Sequence, residues 1–209
     1  MKTLELFCGT KSFSKVAKEY GYETLTLDFD NTFNPDIAKN IMDFYIQDLN
    51  GYRPDIIWAS PPCQKFSVAS LGRNWNKEDM TPKNDDTKKA MQIVLKTVQI
   101  IKDLKPKYFY IENPRAMLRK IGLIPYDYST VTYCQYGFHY MKPTDIWSNN
   151  EEWLKVAKSC KNGMPCHESA PRGSATGTQG LKNPAERGKI PPDLIKEILN
   201  YSREEDNES

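Results

Sequence analysis

The sequence predicts a doubly wound α/β fold around a mostly parallel sheet, with a small irregular segment near the C-terminal end. Two observations carry this. Short apolar runs alternate with stretches of helical period as far as Trp147, the alternation that builds a sheet covered by helices on both faces. Polar, chemistry-bearing groups follow four of the predicted strands, which gathers them at the carboxyl edge where such sheets bind ligands.

The elements follow in order. "KTLELF", Lys2 to Phe7, reads as the first strand. "SFSKVAKEYG" reads as a helix, with Ser12 as N-cap and Gly21 as stop. "ETLTLDFD", Glu23 to Asp30, alternates like a strand and ends in acid. "DIIWAS" is a continuous apolar run suited to a strand buried on both faces. Ser60 to Asp85 forms a long polar loop, of a length that is usually functional or mobile. From Asp86 onward Ala90, Ile93, Val94, Val98 and Ile101 recur at helical spacing, and "LKPK" ends that helix. "YFYIEN" is the next strand, and "STVTYCQYG" and "TDIWSN" read as two late ones. Glu151 to Gly188 holds most of the late Gly, Pro, Ser and Cys, with weak periodicity. "PPDLIKEILNY" is a final amphipathic helix, and the charged "SREEDNES" is expected to fray. The organisation expected is therefore a catalytic and cofactor-binding core over 1–148, a small irregular segment over 149–188, a helix over 189–200 and a tail over 201–209.

The bulk properties narrow the class. A chain of 209 residues can form one substantial domain, and 27% charged with 39% apolar residues fits a globular protein. A net charge of +2 does not by itself announce a nucleic-acid partner. No apolar run approaches the ~20 residues that span a bilayer, and "MKTLELFCG" is too short and charged for a signal peptide. Five cysteines, an odd number without an export signal, argue for reduced thiols and a cytoplasmic location.

Four strand ends carry candidate chemistry. Gly9 in "LFCGTKSF" permits a tight turn that aims the next helix at a ligand. Asp28 lies nineteen residues beyond Gly9, the distance at which a carboxylate reaches the ribose of an adenosine-type cofactor. The loop has one glycine where the dinucleotide fingerprint has three, so a plain strand-to-helix turn with a solvated Asp28 is the alternative. In "SPPCQ" Cys63 sits where a nucleophile belongs, in a loop held by Pro61 and Pro62. Its alternative is a small buried hydrophobe. Glu112 in "YIENPR" is an acid at an apolar strand end, suited to proton donation, with a cap or surface ion pair as the alternative.

Taken together and in order, "FCG", "LDFD", "PPCQKFS" and "IENP" resemble the blocks of DNA cytosine-5 methyltransferases. The resemblance covers Met1 to Trp147, and "PPCQKFS" is its most specific part. "KPTDIW", "CHESAPRGSATGTQG" and "RGKIP" resemble a compact subgroup of the kind found in phages. The resemblance implies a Rossmann-like S-adenosylmethionine-dependent methyltransferase fold. It implies methyl transfer to carbon 5 of a cytosine flipped out of DNA, in host protection by restriction-modification or in modification of a phage's own genome. In that reading the Cys63 thiolate adds to carbon 6 and Glu112 bonds or protonates N3. Phe7, Gly9, Asp28, Asn40, Ile41 and Pro61 bind the cofactor, and Gln64, Ser67, Arg73, Arg172 and Lys182 meet DNA. Lys65, Arg73, Lys77 and Lys83 of the long loop are expected on DNA phosphates, with an ordinary solvated loop as the alternative.

The chain also departs from the family pattern. Lys11–Ser12 replaces the usual glycine pair, "ENP" replaces "ENV", and Asn40–Ile41 replaces an acid–Ile pair. Where the family places an arginine on the cytosine O2, "YGFHYMKPTDIW" offers Lys142, with Thr144 two residues on. Only about forty residues, between Trp147 and Arg187, are left for sequence recognition. This implies a short or loosely specified target, or a second subunit. Two other readings remain: a non-catalytic DNA-binding relative, and an enzyme that modifies free pyrimidine nucleotides or transfers another group.

"SCKNGMPCHESAPRG" brings Cys160, Cys166 and His167 within eight residues. Soft ligands so close in a reduced protein suggest structural zinc, with Cys134 as fourth ligand and His139 in reserve. Metal would order a segment too poor in apolar residues to order itself, and present Arg172, Thr176, Gln179 and Lys182 to DNA. The alternative is a reduced loop with incidental cysteines.

Overall fold

The structure, a computed structural model, describes residues 1–168 and 183–203. A seven-stranded sheet forms its centre. Its strands are β1 (Lys2–Leu6), β2 (Glu23–Asp28), β3 (Ile37–Ala38), β4 (Ile56–Ala59), β5 (Tyr108–Pro114), β6 (Tyr128–Thr132) and β7 (Pro143–Ser148). Their order is β3-β2-β1-β4-β5-β7-β6. The five strands from β3 to β5 pair in parallel, and β7 runs antiparallel between β5 and β6. The chain winds outward from β1 to β3 and returns to place β4 on the other side of β1. The crevice of a doubly wound sheet therefore opens beyond the carboxyl ends of β1 and β4.

Side-chain alternation along the strands builds two apolar layers. Leu4, Leu6, Ile57, Ala59, Phe109 and Ile111 face one side, where α3 (Asp85–Leu104) covers them with Ala90, Val94, Val98 and Ile101. Ile56, Trp58, Tyr108 and Tyr110 face the other. There they meet Phe13, Val16 and Ala17 of α1 (Ser12–Glu19), Trp153 of α5 (Glu151–Val156), and Leu194, Ile195, Ile198 and Leu199 of α7 (Pro192–Tyr201). The remaining helices are single turns: α2 (Leu71–Asn74), α4 (Leu118–Ile121) and α6 (Pro184–Gly188). None of the described helices is long and apolar enough to cross a membrane.

Several expectations change in detail. β3 has only two residues and no sequence signal. "STVTYCQYG" is not one strand: β6 stops at Thr132, and Tyr133–Tyr136 turns as a 3-10 helix into Gly137, whose φ of 89° suits glycine. The long polar loop is a packed structure, pinned by fully buried Phe66 and Trp75, whose ring centroids lie 5.9 Å apart. The irregular segment begins with a true helix, α5, because Trp153 inserts fully into the core. The tail is anchored at its start: Arg203 Nε donates to Tyr22 Oη at 2.7 Å. Residues 204–209 lie outside the described residues.

Candidate active site

The loop after β1 turns sharply. Phe7, Gly9 and Lys11 all have positive φ, at 59°, 44° and 57°. At Gly9 an added Cβ would meet nothing within 4 Å, so glycine is needed there for its conformation and not for space. Ser12 does not cap α1. Glu5, buried inside β1, does so from the sheet: the Phe13 and Ser14 amides donate to its carboxyl oxygens at 3.2 and 2.9 Å. Burial pushes the Glu5 carboxyl up to about 7 against these bonds. Glu5 gives its own signal in the sequence, as an acid in the middle of an apolar strand.

Asp28 closes the same loop from the end of β2. Its two carboxyl oxygens accept from the Gly9 amide at 2.9 Å and the Asp30 amide at 3.0 Å. Each oxygen retains a lone pair for a ligand. Phe29, which sequence reasoning passed over, follows with its ring 71% exposed. A carboxylate with free lone pairs and an exposed aromatic ring are thus consecutive residues at the end of β2, chemistry suited to hydroxyl groups and to a flat ring. Asn40 and Ile41 follow β3 at the same edge. Asn40 Oδ1 caps the next turn by accepting from the Met42 amide, and Ile41 is buried in the core.

Cys63 follows β4, half-buried, and its carbonyl accepts from the Phe66 and Ser67 amides at 3.0 and 3.1 Å. Pairing of Ala59 with Ile111 sets Pro61 beside Asn113. Asn113 Nδ2 donates to the Pro61 carbonyl at 2.9 Å, which ties the nucleophile loop to the acid's strand. Glu112 is 5% exposed, and its Oε1 accepts from the Tyr133 hydroxyl at 3.0 Å. Lys142 Nζ lies 3.8 Å from the same oxygen and 4.4 Å above the Tyr133 ring, and it donates to the Arg187 carbonyl at 2.8 Å. Burial pushes the Cys63 thiol up, and the Glu112 charge adds to this, while Lys142 and Arg187 pull it down. Glu112, Lys142 and Arg187 thus all act on the Cys63 thiol. Tyr133 is a functional candidate that the sequence hid, because a tyrosine after a strand reads as core.

Gln64 and Arg73 are exposed beside this site, and Ser67 Oγ bonds Ser70 Oγ at 3.1 Å. Arg172, Thr176, Gln179 and Lys182 lie outside the described residues. The concavity lined by Lys2, Leu25, Asp36 and Tyr52 contains none of the strand-end candidates.

The soft donors meet in a second cluster. Cys134 Sγ lies 3.2 Å from Cys160 Sγ and 3.8 Å from Cys166 Sγ. His167 Nδ1 lies 3.6 Å from Cys160 Sγ and 3.5 Å from Cys166 Sγ. All four ligand atoms fall within 4.8 Å of one another. His139, the reserve ligand, is not among them; its carbonyl instead accepts from the Glu168 amide at 2.8 Å.

Residues 1–122 match the family model of C-5 cytosine-specific DNA methylases. A probable DNA (cytosine-5)-methyltransferase of Frog virus 3 (isolate Goorha) is 30% identical over 95% of this chain and 99% of its own length. A type II methyltransferase of Herpetosiphon aurantiacus is 29% identical over 58% of this chain and 97% of its own. Among solved structures, the Entamoeba histolytica methyltransferase EhMeth shares the fold, with a TM-score of 0.52 and 15% identity over 71% of this chain. The chain covers 52% of that structure.

Proposed function

The chain belongs to the C-5 cytosine-specific DNA methylase family, and from that premise we propose which of its residues carry the reaction. The enzyme transfers a methyl group from S-adenosylmethionine to carbon 5 of cytosine in DNA. Bound S-adenosylmethionine supplies an electrophilic methyl carbon. Asp28 takes its ribose, Phe29 its purine, and the loop Phe7–Gly9 with Pro61 and Asn40–Ile41 completes the seat.

Cys63 is the nucleophile. Its thiolate bonds to carbon 6 of the cytosine while Glu112 holds a proton at N3, so that negative charge does not build on the ring. Lys142 donates to the O2 atom as a point charge. Carbon 5 then carries the nucleophilic electron pair. Loss of the carbon-5 proton after methylation expels Cys63 as thiolate and restores the aromatic ring. A stacked base is closed to attack from above carbon 6, so the cytosine is flipped out of the duplex. Gln64, Ser67, Arg73 and the segment 149–188, with Arg172 and Lys182, hold the DNA around it. An odd number of cysteines and a DNA substrate support a bacterial or phage-infected cytoplasm as the setting of this work.

The observation that carries this reading is the bond from Asn113 to Pro61, which fixes acid and nucleophile to one another across adjacent strands. The test supplies labelled S-adenosylmethionine with either duplex DNA or dCMP. Label is expected in DNA as 5-methylcytosine. Label in dCMP alone would move the substrate to free nucleotides, and label in neither would reduce the chain to a binding protein.

Cys134, Cys160, Cys166 and His167 hold a structural zinc. Zinc–sulfur and zinc–nitrogen bonds of about 2.3 and 2.05 Å give tetrahedral edges of about 3.75 Å between sulfurs and about 3.55 Å between sulfur and nitrogen. Of the four separations given above, 3.8, 3.6 and 3.5 Å match those edges and the fourth, 3.2 Å, is tighter. Protein purified without chelator should carry about one equivalent of zinc, and its cobalt form should show thiolate-to-metal absorption.

A further inference from the structure

Between the cysteine–histidine cluster and Glu112 stand one peptide bond, the Tyr133 side chain and one hydrogen bond. Cys134 is a ligand; the preceding residue, Tyr133, is fully buried and donates its hydroxyl to Glu112 at 3.0 Å. Both stand on the 3-10 turn Tyr133–Tyr136, where the chain has left the sheet. We propose that the metal is the mount of the catalytic acid: it fixes this turn, and the turn fixes Glu112 through the Tyr133 hydroxyl. Tyr133 is a positioning residue, and the inference rests on the zinc and methyltransferase readings above.

The core holds part of the turn, with the Tyr133 amide on the Met141 carbonyl at 2.7 Å and the Tyr136 hydroxyl on Glu197 Oε1 at 2.9 Å, and the residues around the cluster hold the rest. Two separate stretches of chain close on it. From one side, the Lys158 amide donates to Tyr136 Oη at 2.9 Å, and the Cys160 amide donates to Thr132 Oγ1 at 2.9 Å. From the other, Gln135 Nε2 lies 3.3 Å from Cys166 Sγ, and the Glu168 amide reaches the His139 carbonyl. Between Lys158 and Glu168 the one large apolar side chain is Met164, which is half exposed. Those two stretches therefore lack an apolar anchor of their own. These part-buried hydrogen bonds each contribute only a modest net free energy, whereas four metal bonds would join residues 134, 160, 166 and 167 into one unit.

At the other end of the chain of contacts, Glu112 has freedom to lose. Among the described residues its Oε1 has one hydrogen-bond donor at bonding distance, Tyr133 Oη, while Lys142 Nζ stands further off at 3.8 Å. Without that donor the carboxyl can rotate away from the N3 position, and the nucleophile attacks a ring that cannot disperse charge. The effect is one of orientation. It should appear in the rate of bond formation to carbon 6 and not in the binding of cofactor or DNA.

The test measures the rate at which the protein forms a covalent adduct with 5-fluorocytosine DNA. Tyr133→Phe keeps the ring and removes only the hydroxyl. It should slow adduct formation roughly 10- to 100-fold, the range lost when a partner that orients a reactive group is removed, with unchanged dissociation constants for DNA and cofactor. Removing zinc from the wild-type protein should slow it comparably, and zinc should restore it. Removing zinc from Tyr133→Phe should add little, because both changes break one linkage. A Tyr133→Phe protein as fast as wild type, or a zinc-free protein as fast as the loaded one, overturns the inference and leaves the zinc site standing. Additive losses also overturn it, since the two would then act separately. Less than about a tenth of an equivalent of metal in the native protein overturns the zinc reading and this inference together. No adduct from zinc-loaded wild type would instead remove the methyltransferase roles assigned to Cys63 and Glu112, and the inference with them.

Discussion

Asn113 Nδ2 donates to the carbonyl of Pro61 across the β4–β5 pair at 2.9 Å. The bond joins the residue after the acid to a residue two before the nucleophile. Parallel pairing brings the two strand ends level, and the side-chain amide then spans the gap that the backbone ladder leaves at Pro61. The distance between Glu112 and Cys63 is thereby set by sheet register and one further bond, not by the packing of a mobile loop.

Asn113→Ala should therefore impair chemistry more than binding. The buried Pro61 carbonyl loses its donor, which costs about 1–3 kcal/mol of stability. The nucleophile loop gains freedom, so kcat should fall while the dissociation constant of S-adenosylmethionine stays within error. Single-turnover methylation and calorimetric cofactor titration separate the two. An unchanged kcat would show that the bond is structural only.

Cys63→Ala should abolish methyl transfer and leave the fold intact, since Cys63 is a half-buried free thiol. The thiol itself reports its neighbours. Burial and Glu112 raise it and Lys142 lowers it, so its alkylation by iodoacetamide should accelerate with pH and reach its midpoint above the ordinary thiol value. Glu112→Gln removes a negative charge and should bring that midpoint down. Lys142→Met removes a positive one and should send it up. Identical midpoints in all three proteins would mean that these side chains do not share a site.

Asp28→Ala should weaken S-adenosylmethionine binding by about 1.5–3 kcal/mol, the worth of hydrogen bonds to a charged group. Part of that loss comes from the loop, because Asp28 also holds the Gly9 amide. Phe29→Ala tests the neighbouring ring without touching that bond. Calorimetry on both variants decides: wild-type affinity in both would place the cofactor elsewhere.

The sequence made some of this legible and hid the rest for physical reasons. Strand ends are marked by where apolar runs stop, so Gly9 and Cys63 follow strands and Asp28 ends one, as read, while β5 runs past Glu112 to Pro114. Their partners were not legible, because contact across the sheet leaves no local pattern. Nothing in "TVTYCQYG" distinguishes Tyr133 from a core tyrosine, and nothing in "IENP" says that Asn113 reaches Pro61. Ser12 carries the local signature of an N-cap, yet Glu5 takes that role from a neighbouring strand, a tertiary override of a local rule. Trp75 lay in a polar stretch, and one buried ring was enough to turn an expected loop into packed structure. The cysteines and histidine of the cluster were legible because their residue types are scarce and their chemistry narrow.

Glu5 supplies a prediction about stability. Its carboxyl is buried in β1, and burial raises it from 4.5 to about 7 in the folded chain. Below the ordinary glutamate value both folded and unfolded chains hold the proton, and the stabilising contribution is fully present. As pH rises from about 4.5 toward 7, the unfolded chain releases its proton while the folded chain keeps it. Stability falls across that window, by about 3 kcal/mol in all for a shift of this size, and levels off above it. Glu5→Gln stays neutral throughout and keeps a carbonyl to accept from the first turn of α1. Urea unfolding of both proteins at pH 5 and pH 8 isolates the effect, since every other titrating group is common to both. The difference in unfolding free energy, variant minus wild type, should grow by about 2.5 kcal/mol in favour of the variant between those two values. A difference that stays constant would mean that Glu5 remains ionised at pH 5, held so by the Phe13 and Ser14 amides.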